Sequence, residues 1–141
     1  MRVARRVKIE TPAEISLREM YPEEDVRVLA VGWELSDAFW NVLKNGAQAM
    51  LPEGGVLSVD VKQFEKENEP FVEIVIHNQG SKIPRDIIHQ IFEPFYSTKE
   101  SGTGYGLWRT QLVIQEIEGS ISIENVKDGV ETRIILPTLI E

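Results

Sequence analysis

The chain has 141 residues, 42% of them hydrophobic, enough to bury a core without staples, and it reads as a single domain over 1–141. It contains no cysteine, which excludes disulfides, thiolate zinc sites and cysteine nucleophiles. Its formal charge of −8, spread along the chain, argues against a surface that neutralises nucleic acid phosphates. No apolar run approaches the roughly 20 residues needed to span a bilayer. The opening MRVARRVKIE lacks the apolar centre of a signal peptide, so a soluble chain without direct membrane contact is expected.

In chain order, a strand is predicted around Val3 to Glu10, followed by a polar connection carrying Pro12 and Pro22. VRVLAV, Val26 to Val31, is a second strand candidate that Gly32 breaks. From Glu34 to Met50 the residues Leu35, Phe39, Val42, Leu43 and Ala47 recur at helical spacing until LPEGG stops the pattern. Val56 to Phe64 alternates, with Leu57, Val59 and Val61 on one face, and Phe71 to Ile76 is a β-branched run. EKENEP between them is a polar turn, so the pair reads as a hairpin. Leu107 to Glu118 carries a helical stripe of Leu107, Val113, Ile114 and Ile117, ended by Gly119. Two strands follow, Ser120 to Asn125 and Val130 to Leu136, joined by KDG. The sum is an α+β fold, helices on one face of a mixed, mostly antiparallel sheet.

The chemistry begins in the first long helix. Asn41 and Asn45 stand four apart, about 40° from each other around the axis and ~6 Å along it, so both amides project from one stripe. Asparagine is a middling to poor helix former, and such a pair beside an apolar face calls for more than propensity. One reading is a solvated face. The other is that the amide oxygens approach a hydrated Mg²⁺, which accepts neutral oxygens when phosphates supply the remaining charge. STKESGTGYGLW, Ser97 to Trp108, poses a similar choice. Gly102, Gly104 and Gly106 carry no Cβ, so their N–H groups can turn toward a bulky anion, and Leu107 opens a helix whose unpaired amides favour phosphate. A flexible surface loop is the alternative. The stretch is neither a GxxxxGK[ST] loop nor GxGxxG after a strand.

Asn41 with Asn45, then HNQGSKIP, then IFEPFYSTK, then GTGYGL form an ordered series. It closely resembles the ATP-binding domain of sensor histidine kinases, in the GHKL superfamily with gyrase B and MutL. The resemblance runs from roughly Leu35 to Pro137, with NVLKNGAQAMLPEGG like the N box, IFEPFYSTK like the F box and GTGYGL like the second glycine box. It implies a Bergerat-type two-layer sandwich that binds ATP and Mg²⁺ and donates the γ-phosphoryl group to a histidine. By the same resemblance Asn45 matches the Mg²⁺-binding asparagine, and Asn41 the one a turn earlier, at the phosphates and the metal. Gly102, Thr103, Gly104, Tyr105, Gly106 and Leu107 match the phosphate end of the lid. Lys99 matches a lid position where a cation neutralises developing charge, or is a plain surface lysine. Gyrase-like relatives carry a water-activating glutamate where Asn41 stands, so slow hydrolysis and transfer to another nucleophile are implied.

The first glycine box departs from the family's Asp-x-Gly-x-Gly, because the aligned residues are Asn78, Gln79, Gly80, Ser81 and Lys82. Asn78 keeps an acceptor for the adenine amino group but loses the charge assistance, a difference of about 1 kcal/mol, or several-fold to tenfold in affinity. Lys82 restricts the backbone where glycine is usual, while Gly80 keeps the turn. Thr132, polar on the face of Val130, Ile134 and Leu136, reads as packing, the alternative being the threonine that relatives place near adenine in this final strand. Residues 81–103 match the ATP lid, with a short helix suggested by Ile87, Ile88, Ile91 and Phe92 and with Phe95 and Tyr96 as anchors. STKESGTG is expected to become ordered with nucleotide.

His77 and His89 read as structural, and neither lies in the helical context of a phosphoacceptor. The resemblance therefore implies a catalytic half, expected to be a fragment of a longer kinase rather than a free-standing chain. Its implied partners are a histidine-bearing dimerisation domain, in the same full-length protein or a separate one, and a downstream response regulator. A cytoplasmic location is expected, including that of the cytoplasmic part of a membrane-bound sensor. The rival reading is a nucleotide-dependent regulatory module of the same fold, like anti-sigma factors, without kinase activity. IFEPFYSTK favours the kinase.

Overall fold

The computed structural model describes residues 14–94 and 106–139, and in it the period-two runs of the sequence become a five-stranded sheet. Strands β1 (Ile15–Met20), β2 (Gly55–Lys66), β3 (Glu69–Gln79), β4 (Ser120–Val126) and β5 (Gly129–Pro137) lie in the order β1-β2-β3-β5-β4. β1 runs parallel to β2, and the other pairings are antiparallel. The helices among the described residues are α1 (Gly32–Ala49), α2 (Arg85–Ile88) and α3 (Gly106–Glu116). None is long and apolar enough to cross a membrane.

Alternation along the strands selects one sheet face for burial, with Ile15, Leu57, Val59, Val72, Ile74, Ile76, Ile134 and Leu136 all inside. Onto that face α1 lays Val42, Leu43 and Ala47, and α3 adds Ile114, closing one apolar cluster. The opposite face keeps the polar partners. There Arg133 donates to Glu131 at 2.8 Å and to Glu73 at 3.2 Å. The hydrogen bond to Glu131 and the charge of Glu73 raise the guanidinium pKa further above its ordinary value. Helices on one face and charge on the other make the α+β two-layer arrangement that the pattern predicts.

The structure corrects several boundaries. Val26 to Val31 is not a strand. Val26 and Val28 pack against the core and Leu29 and Val31 face outward, so the alternation reflects packing rather than pairing. Ile15–Met20, in the stretch expected to be a polar connection, is strand β1, because β2 supplies the ladder and only Ile15 and Leu17 need turn inward. The strand expected at Val3 to Glu10 lies outside the described residues. The predicted lid helix shrinks to the single turn of α2, and Ile91 is buried beyond its end. At the end of α3 the left-handed residue is Glu118, with φ of 62°, one position before the expected glycine. Gly119 serves close packing instead: a Cβ there would stand 2.6 Å from Leu136 Cδ2 and 2.7 Å from the Ile135 carbonyl oxygen.

Helix α1 starts without help. Its N-cap is Val31, 52% exposed and unable to accept a hydrogen bond from the first turn, although Glu34 stands three residues on. Val31→Ser completes the reciprocal Ser-x-x-Glu capping pair and is expected to raise the free energy of unfolding by about 1 kcal/mol, measured by urea denaturation.

Candidate functional site

The middle and the C-terminal part of α1 meet two different parts of the fold. Asn41 and Asn45 are both half-buried on the helix. The Asn41 Oδ1 lies 3.9 Å from where a Cβ would project from Gly106, the first residue of α3. An amide oxygen thus faces the opening turn of a helix, whose N–H groups have no partner within the helix. The Thr110 hydroxyl, buried on α3, donates to the Gly106 carbonyl at 2.8 Å and braces that turn. Leu107, next along, is half-buried.

Toward the other end, Gly46 lets α1 settle on the sheet. A Cβ there would come within 3.0 Å of Leu57 Cδ1 and 3.4 Å of Asn78 Oδ1. Asn78 is only 7% exposed, near the end of β3, and its Nδ2 donates to the Gln79 carbonyl at 3.2 Å. Among the described residues its Oδ1 accepts no hydrogen bond. A buried acceptor left without a partner costs on the order of 1–3 kcal/mol, which a ligand donor would recover. Thr132 of β5, also 7% exposed, pairs with Ile76 and so lies diagonally beside Asn78, which pairs with Val130. Its hydroxyl likewise has no hydrogen-bond partner among the described residues.

The chain beyond Asn78 turns at Gly80, whose φ of +108° belongs to the region that favours glycine. Gln79 Oε1 accepts the Val56 N–H at 2.9 Å, and Lys82 is exposed. His77 meets Asp128 Oδ1 at 2.9 Å, a structural role away from the buried face. Among the described residues no group of three or more His, Asp or Glu side chains is gathered to hold a metal. A cation at Asn41 and Asn45 would therefore complete its oxygen shell from water and an anionic ligand, which suits Mg²⁺ with phosphates.

The structure thus brings Asn41 beside Gly106 at one end and Asn78 beneath Gly46 at the other. Lys99, Gly102, Thr103, Gly104 and Tyr105, with Phe95 and Tyr96, lie outside the described residues. Sequence reasoning missed Gly46, whose signal was a glycine inside a strongly periodic helix. It also missed Asn125 and Asp128 around the β4–β5 turn, which carried no signal beyond KDG.

A family model described as histidine kinase-, DNA gyrase B-, and HSP90-like ATPase matches residues 32–140. Sporulation kinase A of Bacillus subtilis is 30% identical over 120 residues, covering 83% of this chain and 19% of that protein. Sporulation kinase D of the same organism is 34% identical over 116 residues, covering 82% and 22%. The chain therefore spans about one fifth of the length of these relatives. Among solved structures, a mycobacterial sensor histidine kinase, MprB, superposes with a TM-score of 0.81 at 26% identity, covering 99% of this chain and 92% of that one.

The Thr132 hydroxyl, without a partner among the described residues, generates a direct expectation. Thr132→Val keeps the shape and removes the buried polar atom, so the unliganded chain should gain about 1 kcal/mol of stability, read from the urea midpoint at unchanged slope.

Proposed function

The chain belongs to the histidine kinase-, DNA gyrase B- and HSP90-like ATPase family, and from that premise we propose that it binds Mg-ATP and donates the γ-phosphoryl group to a histidine on a separate dimerisation domain. It serves on this reading as the catalytic domain of a two-component kinase in the cytoplasm, with residues 81–103 as the lid and a response regulator downstream. The observation that carries the proposal is the orphaned Asn78 Oδ1, buried at the end of an apolar strand and opposite a helix glycine. On this reading it is the acceptor for an N–H donor of the base. The adenine amino group fits it.

Asn45 and Asn41 hold the metal side, and when bound Mg²⁺ neutralises phosphate charge. The α3 N-terminus, at Gly106 and Leu107, offers N–H groups to the phosphates, and the family match assigns Lys99, Gly102, Thr103, Gly104 and Tyr105 to the same group. Position 41 is an amide rather than a carboxylate, so it cannot take a proton from water. Hydrolysis is then slow, and the γ-phosphoryl group is kept for the acceptor histidine. Mixing the chain with a histidine-bearing dimerisation segment and labelled ATP tests this. Acid-labile phosphate on histidine is expected, whereas binding without transfer would favour a nucleotide-dependent regulatory module.

Two substitutions separate the ends of the site. Asn45→Ala should abolish the Mg²⁺-dependent part of ATP affinity and transfer, measured by calorimetry with and without Mg²⁺ and by label transfer. Asn78→Asp should tighten ATP binding several-fold to tenfold by restoring a charge-assisted bond to the amino group, read from the same titration.

A further inference from the structure

The chain that follows Asn78, from Gly80 to Pro84, belongs to no strand or helix, yet a single hairpin holds it at both ends. Asn125, half-buried on β4, engages one residue with both of its polar atoms: Nδ2 donates to the Ile83 carbonyl at 2.7 Å, and Oδ1 accepts the Ile83 N–H at 2.8 Å. Three residues on, the Asp128 carbonyl accepts the Gly80 N–H at 3.1 Å, and its carboxylate meets His77 Nε2 at 2.9 Å. Gly129 completes the contact. A Cβ there would fall on the Asn78 carbonyl oxygen, so the hairpin rests directly against the main chain of the residue with the orphaned acceptor.

We propose that Asn125 is a positioning residue for the nucleotide base, presetting the chain after Asn78 as one wall of the adenine slot. The inference rests on the ATP reading above and adds a residue that touches no nucleotide. An asparagine that satisfies both groups of one residue does what a neighbouring strand would do. It fixes that backbone where no ladder reaches, and with the Gly80 tether it leaves little freedom between the two. A wall ordered before the ligand arrives spares binding the cost of ordering it. The clamp acts at the base end alone, because Asn41 and Gly106 sit on α1 and α3, which Asn125 does not bond. Its effect should therefore be blind to phosphates and metal.

Asn125→Ala in the whole chain tests this by calorimetry with Mg-ATP and, separately, with ADP in the absence of Mg²⁺, at a temperature where circular dichroism shows the fold intact. Both Kd values are expected to rise about tenfold and by the same factor, for the loss of a two-bond tether. With the phosphoacceptor segment supplied, KM for ATP should rise by that factor while kcat stays within about twofold. Asn125→Ser, which can keep one bond to Ile83, should fall between and serves where the alanine variant does not fold. A lowered urea midpoint with unchanged Kd would make the clamp a structural tether only and overturn the proposal, as would a loss confined to Mg-ATP. If the unaltered chain binds neither nucleotide, the ATP reading itself fails and the clamp's role with it; equal binding by chain and variants sinks the clamp alone.

Discussion

Everything at the site depends on how closely α1 can lie on the sheet. Gly46 sets that distance, because any Cβ there meets Leu57 and then Asn78. Asn41 stands five residues earlier on the same rod, about 7.5 Å along the axis. The contact with β3 and the contact with α3 are therefore not independent. Val42, Leu43 and Ala47 are buried on the same helix, and a close-packed core resists sliding by even a methylene. A single rigid element thus carries both the spacing and the facing of the two ends, which a pair of loops could not hold as well.

Much of this fold was legible because periodicity is a many-residue signal. Five apolar positions from Leu35 to Ala47 announce α1, and alternation before EKENEP with a β-branched run after it announces the β2–β3 hairpin, whose two-residue turn takes positive φ at Glu67 and Asn68. Where the signal thins, reading fails for a stated reason. β1 shows only Ile15 and Leu17 among charged neighbours, since an edge strand leans on its partner for the ladder. Val26 to Val31 shows the reverse, alternating residues that pack on the core without a ladder to join. Periodicity reports which side chains turn inward. It does not report whether a backbone partner exists.

The site divides along the same line. Asn41 and Asn45 are legible as a helical pair, and Asn78 as a departure from a motif. What makes Asn78 notable is burial without an acceptor bond among the described residues, and no local sequence shows that. Gly46 left a faint trace, since glycine in a helix interior costs on the order of 1 kcal/mol against alanine and so asks for a compensating close approach. Asn125 left none. Its bonds to Ile83 cross 42 positions of sequence and involve one side chain, so nothing repeats.

On the proposed reading, charge accounts for the amides at positions 41 and 45. The chain carries a net −8, and a triphosphate brings more charge of the same sign. Carboxylates at positions 41 and 45, on the phosphate side, would add local repulsion, which is strongest where water is excluded. Amide oxygens offer acceptors for a cation without that cost, and the unpaired N–H groups at the start of α3 supply positive potential without a basic side chain. The balance has a consequence for order of binding. A neutral donor set attracts a bare divalent ion weakly and a nucleotide-bound one more strongly, so on the proposed reading the metal enters with its phosphates and leaves with them.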